Sequence, residues 1–162
     1  MISILGRSVV LAALLLATTG AVMSFAAAQR RSAAGVARAR LFAYLYAAMM
    51  TLATGLMIYA LVAHDFSVSY VAQVGSLATP LHITIVSLWS SLDGSILFWG
   101  LILGGFTAGA ALHLRASATD HTGYMLGTLF TVGIFFTFLI AGPADPFAPT
   151  PAGIQPEWYF LW

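Results

Sequence analysis

The stretch LFAYLYAAMMTLATGLMIYALV, residues 41–62, carries no charge from end to end. Crossing about 30 Å of hydrocarbon at about 1.5 Å per residue takes roughly 20 apolar residues. This run has that length, and three others match it. They are SVVLAALLLATTGAVMSFAAA (8–28), GSILFWGLILGGFTAGAALHL (94–114) and YMLGTLFTVGIFFTFLIA (124–141), the last closed by the helix breakers Gly142 and Pro143. An open strand leaves its backbone groups unsatisfied in lipid, so each run is expected to be a helix. The fold expected is all-α, with four transmembrane helices forming a membrane domain over 1–141 and a proline- and aromatic-rich tail over 142–162.

Composition agrees. The 162 residues are 60% hydrophobic and 7% charged, whereas soluble domains carry about a quarter charged residues. All six basic residues are arginine, and the net charge of +1 offers no basic run for nucleic acid. With no cysteine, this chain holds no disulfide, no thiolate metal site and no covalently attached haem, so it is not itself a c-type cytochrome. A cleaved leader competes for the first run, because Arg7 precedes it and SFAAAQ resembles a cleavage site. The run exceeds a usual leader core and Arg30 and Arg31 follow directly, which favours an uncleaved span.

Arginine also sets the expected orientation. Arg30, Arg31, Arg38 and Arg40 share the first connection and Arg115 the third, which places both in the cytoplasm of a bacterial inner membrane. The amino terminus, residues 63–93 and the tail then face the periplasm. Within 63–93, TPLHITIVSLWSSL suggests a helix with Thr79 as cap and Pro80 in its first turn. His82, Val86 and Trp89 recur there at helical spacing, as in a short helix lying at the membrane interface.

The stretch SLWSSLDGSILFWG, residues 87–100, sets one acid between two tryptophans. Asp93 falls where a carboxylate can cap free N–H groups and meet the positive end of a helix dipole. Gly94 allows close backbone approach, Ser95 adds a hydroxyl, and Trp89 and Trp99 suit the headgroup level. Gly104, Gly105 and Gly109 are expected to serve ordinary helix packing.

Taken in order, Phe66-Ser67-Val68, Tyr70-Val71-Ala72, Ser76, Pro80, Leu88-Trp89, Gly94-Ser95, Leu97 and Trp99 resemble the amino-terminal region of the CcmF/NrfE family, the membrane haem lyase components of c-type cytochrome maturation. The similarity extends over about residues 1–147, to the Asp-Pro-Phe at 145–147. It implies haem as a ligand, possession of an outer face that meets haem, and partnership with other maturation subunits and apocytochrome c. Trp89, Asp93, Gly94, Ser95 and Trp99 are the haem-contact candidates it implies. Where the family has Gly-Gly-His-Glu, this chain has Ser90, Ser91, Leu92 and Asp93, so the role of that histidine does not carry over. Family members are several times longer, which implies a fragment, a split subunit or a degenerate relative. The expected contribution is binding and positioning rather than catalysis.

The tail resembles a second family. Pro156-Glu157-Trp158-Tyr159, after a proline-rich loop, is similar to the quinol-oxidation loop of cytochrome b, where the glutamate accepts a proton from quinol. A raised carboxyl pKa in an apolar pocket would suit that step. The paired histidines for two b haems are missing, and the aromatic tail equally suits a headgroup anchor. The two resemblances meet near Asp145, as at a join. A quinol-reductase subunit or a structural membrane subunit is therefore the alternative function.

His64 and His82, on the outer side, are the candidate axial ligands for haem iron. His113 and His121 lie beside Arg115 and Asp120 and suit an ordinary interfacial loop. No phosphate loop, dinucleotide fingerprint, zinc spacing or nucleophile elbow occurs.

Overall fold

A computed structural model describes residues 1–77, 79–114 and 120–150. Its elements are α1 (Ile2–Gln29), α2 (Ala33–Val62), α3 (Ser69–Val74), α4 (Leu81–Val86) with a 3₁₀ turn over Ser87–Trp89, α5 (Leu92–His113) and α6 (Asp120–Ala141). Four of them, α1, α2, α5 and α6, are long and apolar enough to cross a membrane. The chain is an all-helical, multi-pass membrane protein.

The helices run past the apolar stretches that announce them. α2 begins at Ala33, not at Leu41, because AAGVARAR keeps forming the helical ladder where arginine head groups can meet water. Hydropathy marks the hydrocarbon, while hydrogen bonding marks the helix. Long arginine stems tolerate both.

The four long helices form a ring. α1 packs on α2 and α6, α5 packs on the same two helices from the other side, and α2 touches α6 more thinly across the middle. Tyr46, Met50, Met57, Leu97, Phe130 and Ile140 fill the centre with no exposed surface. Tyr46 and Phe130 meet edge to face at 6.1 Å, a favoured ring geometry. Of the three glycines on α5, Gly104 lies against Ala47 and Met50, whereas Gly105 and Gly109 face open space.

A three-residue turn joins α1 to α2. The Ser32 N–H donates to Ala27 O and the Arg31 N–H to Ala28 O, the paired bonds that close a helix through a left-handed residue. Arg31 supplies it at φ 50°. Ser32 then caps α2 by accepting from Gly35 N at 3.1 Å. Nearby, Arg40 Nη2 donates to Leu114 O at 2.6 Å, placing a cation on the negative end of α5.

The two ends differ in charge. Arg30, Arg31, Arg38 and Arg40 gather at the α1–α2 turn, the end where α6 starts at Asp120, whereas Asp65, Asp93 and Asp145 share the opposite end with Arg7. That second end is built from the 63–91 connection and residues 142–150. The connection forms two short helices where the sequence suggested one. Pro80 takes the cap position of α4, and no side-chain bond from Thr79 closes it. Pro80 has no N–H to leave unpaired, and its carbonyl accepts from the N–H groups of Ile83 and Thr84, as a cap residue's carbonyl does.

Candidate functional site

The stretch around Asp93 is organised from beneath by Tyr70. α3 delivers this ring to the interior, where it is 1% exposed. Its hydroxyl donates toward Leu88 O at 2.7 Å and Ser87 O at 2.8 Å, the latter a carbonyl that also accepts from the Ser90 N–H and hydroxyl where the 3₁₀ turn closes before α5. Burial raises the phenol's pKa above its ordinary value, so the hydroxyl stays a neutral donor across physiological pH. Gly94 is required beside it, because a Cβ there would meet the Leu88 carbonyl oxygen and the Tyr70 hydroxyl. Ser95 Oγ donates back to Trp89 O at 3.0 Å.

These bonds fix the tryptophan that precedes α5. Trp89 packs on Phe98 at 5.3 Å between ring centroids and keeps 47% of its surface exposed. Trp99, 56% exposed, follows Phe98 and is therefore turned about 100° round the helix from it. The structure thus assembles Trp89, Gly94 and Ser95 around Tyr70. Among the described residues, no hydrogen bond or ring contact adds Trp99, His64 or His82 to that group. Removing the Tyr70 hydroxyl should strip the Leu88 carbonyl of its donor. Tyr70→Phe is expected to cost about 1–3 kcal/mol, read as a lower midpoint in thermal unfolding of the detergent-solubilised protein.

Asp93 differs from expectation. Ser91 holds the cap position of α5 and makes no side-chain cap bond, and Asp93 lies inside the first turn. Among the described residues, no hydrogen bond engages its carboxylate, so what it meets is the helix dipole rather than a capped N–H. Asp93 and Asp145 stand near enough to interact electrostatically.

The two histidines at this end of the bundle, His64 and His82, differ in kind. His64 closes α2 in the left-handed region at φ 52°, with its N–H on Leu61 O and the Asp65 N–H on Ala60 O. Its ring lies 6.2 Å from Phe66, and its Nε2 is enclosed with no hydrogen-bond partner among the described residues. His82 is exposed on α4. No group of three or more His, Cys, Asp or Glu suited to a metal ion occurs among the described residues.

Residues 142–150 lock onto this end. The Ser69 N–H donates to Ala148 O at 2.8 Å, the Thr150 N–H to Ser67 O at 3.1 Å, and Val68 bridges to Pro149. Phe147 is fully buried, lying where any side chain on Gly6 would stand, and its carbonyl accepts from Ser3 Oγ at 2.6 Å. Asp145 Oδ2 takes the Arg7 Nε–H at 2.6 Å, and Oδ1 takes the Phe147 N–H at 2.9 Å. The quinol-site candidates Pro156, Glu157, Trp158 and Tyr159 lie outside the described residues.

No family model matches the chain. Individual proteins do. It is 29% identical over 121 residues to the cytochrome c-type biogenesis protein CcmF of Escherichia coli, covering 75% of this chain and 19% of that protein. To CcmF of Pseudomonas aeruginosa it is 28% identical over 148 residues, 91% of this chain and 22% of the relative. NrfE of Haemophilus influenzae, also a cytochrome c-type biogenesis protein, is 28% identical over 112 residues, 67% of this chain and 18% of NrfE. A solved structure described as the cytochrome c heme lyase CcmF superimposes with a TM-score of 0.84 at 30% identity, over 91% of this chain and 25% of the solved one. The chain therefore spans about a fifth of the length of the curated relatives it matches. Over most of its own length it is similar, in sequence and in fold, to the CcmF/NrfE-type proteins of cytochrome c biogenesis.

Proposed function

We propose that this chain is a membrane component of c-type cytochrome biogenesis, corresponding to the amino-terminal part of a haem lyase, which helps guide haem to apocytochrome c alongside other maturation subunits. The observation that carries this reading is the 0.84 TM-score over 91% of the chain to a heme lyase, joined to 30% identity. The arginine-bearing end lies in the cytoplasm, and the end formed by 63–93 and 142–150 faces the periplasm, as the bias of arginine toward cytoplasmic loops requires. α4 rests at the interface, its exposed Leu81, Ile83, Ile85 and Val86 meeting lipid beside Trp89.

The residues present suit one face of a porphyrin better than its iron. Trp89 backed by Phe98 offers a fixed, half-exposed aromatic surface, and Trp99 offers a second. Tyr70, Gly94 and Ser95 act by holding the turn that carries Trp89. For the iron, His82 is the accessible imidazole, because the Nε2 of His64 is enclosed. Bound haem would be cargo, and this chain's part is to position it.

The test is haem absorbance of the chain purified with its maturation partners. Trp89→Ala is expected to lower haem occupancy about fivefold, as loss of an aromatic contact worth about 1 kcal/mol would do. Leu15→Ala, on the exposed face of α1, should leave occupancy unchanged. Full occupancy after replacing both Trp89 and Trp99 by alanine would remove the direct-contact reading.

A further inference from the structure

The end of the bundle that carries Arg7 also carries a crevice unrelated to the aromatic turn. It opens between α1 and α6 and is lined by Arg7, Val10, Leu11, Ile140, Ala141 and Asp145. Val10 and Ile140 form a buried floor, while Leu11 is half exposed at the side. α1 has 28 residues and so runs about 42 Å, longer than the hydrocarbon it crosses. Its first turns must therefore stand among head groups, with Arg7 at the boundary and Val10 and Leu11 just below it.

The guanidinium is held in a particular way. Asp145 engages it through Nε alone, and the second carboxylate oxygen is occupied by the Phe147 N–H. Both Nη groups of Arg7 are left without a hydrogen-bond partner among the described residues, on a side chain 49% exposed beside one that is 8% exposed. Two adjacent N–H donors in a fixed plane match a phosphate's oxygens. The ion pair as a whole is neutral, and Asp93 stands near Asp145. A head group that joins a phosphate to an ammonium fits this surface better than an anionic one.

We infer that the α1–α6 crevice is a phospholipid site, in which the two Nη groups of Arg7 hold the phosphate of a zwitterionic head group and one acyl chain lies along Val10, Leu11, Ile140 and Ala141. The lipid wedges the two helices at the level where residues 142–150 turn back over α1. This site acts independently of haem and does not depend on the functional reading above.

Native mass spectrometry of the full chain released from detergent, with dioleoylphosphatidylethanolamine added, tests it. One lipid per chain should be retained, and excess inorganic phosphate should not displace it, since the acyl groove supplies part of the hold. Arg7→Gln should lower retention about tenfold, the scale of a lost charge-assisted hydrogen bond. Leu11→Trp, which fills the groove and leaves the Arg7–Asp145 pair intact, should lower it comparably, so the result does not rest on a variant that also breaks an ion pair. Equal retention of dioleoylglycerol, which lacks the phosphate, would overturn the inference. Unchanged retention in both variants, or displacement of the lipid by inorganic phosphate, would do the same.

Discussion

Gly94→Leu should leave a chain that reaches the membrane but unfolds far below the unsubstituted protein. At this position the obstacle is backbone, the Leu88 carbonyl oxygen, together with the Tyr70 hydroxyl bonded to it. Neither can swing aside as the end of a flexible side chain can. Overpacking typically costs about 1–3 kcal/mol and sometimes more, and a clash with backbone belongs at the upper end. A loss of about 3 kcal/mol corresponds to about 10 °C in the midpoint for a chain of this size, well within the reach of fluorescence-detected size exclusion after heating. Gly109→Ala is the control, since open space surrounds that position. It should not lower the midpoint. Equal behaviour of the two variants would mean that the Tyr70–Leu88–Gly94 contact does not hold the turn before α5.

Phe147→Ala is expected to cost about 3–5 kcal/mol, the usual toll of emptying a buried phenylalanine site. The ring is wholly enclosed and fills the place that Gly6 leaves open on α1. Without it, the hydrogen bonds from Ser69 to Ala148 and from Thr150 to Ser67 lose the anchor that sets their register. Limited proteolysis should then cut within 142–150 at a protease dose that spares the parent. Arg7→Gln breaks the ion pair of the same segment but should cost only about 1 kcal/mol, because the guanidinium is half in solvent. The magnitudes decide which contact fastens the segment. It is the ring.

How much of this could be read from residues alone depends on distance along the chain. The four spans were legible because lipid imposes a length on any crossing, and 41–62 meets it without a single charge. The close approach at Gly94 was legible as well, since glycine beside a turn advertises what a side chain would obstruct. Tyr70 was not. Its partners, Ser87 and Leu88, lie beyond helix α4, and nothing local marks a tyrosine that will bond to carbonyls there. The Arg7–Asp145 pair joins residues 138 positions apart, and only the ring of helices brings them together. Asp93 shows the opposite failure. Its type and place suited a cap, but helix α5 begins at Leu92 after Ser91, two residues before the start that a cap at Asp93 would set, so the carboxylate falls inside the helix it was expected to open. His64 was equally hidden, because the left-handed residue that ends a helix is usually glycine.

The functional proposal requires the aromatic turn and residues 142–150 to face the compartment where cytochrome c is assembled, with the arginine turn on the other side. The absence of cysteine from the sequence makes one measurement direct. Leu77→Cys, exposed between α3 and α4, and Ala34→Cys, exposed at the start of α2, can each be offered a membrane-impermeant maleimide in cells whose inner membrane is intact. Leu77→Cys should be labelled at once, and Ala34→Cys only after that membrane is permeabilised. Labelling in the reverse order would invert the protein in the membrane and contradict the account.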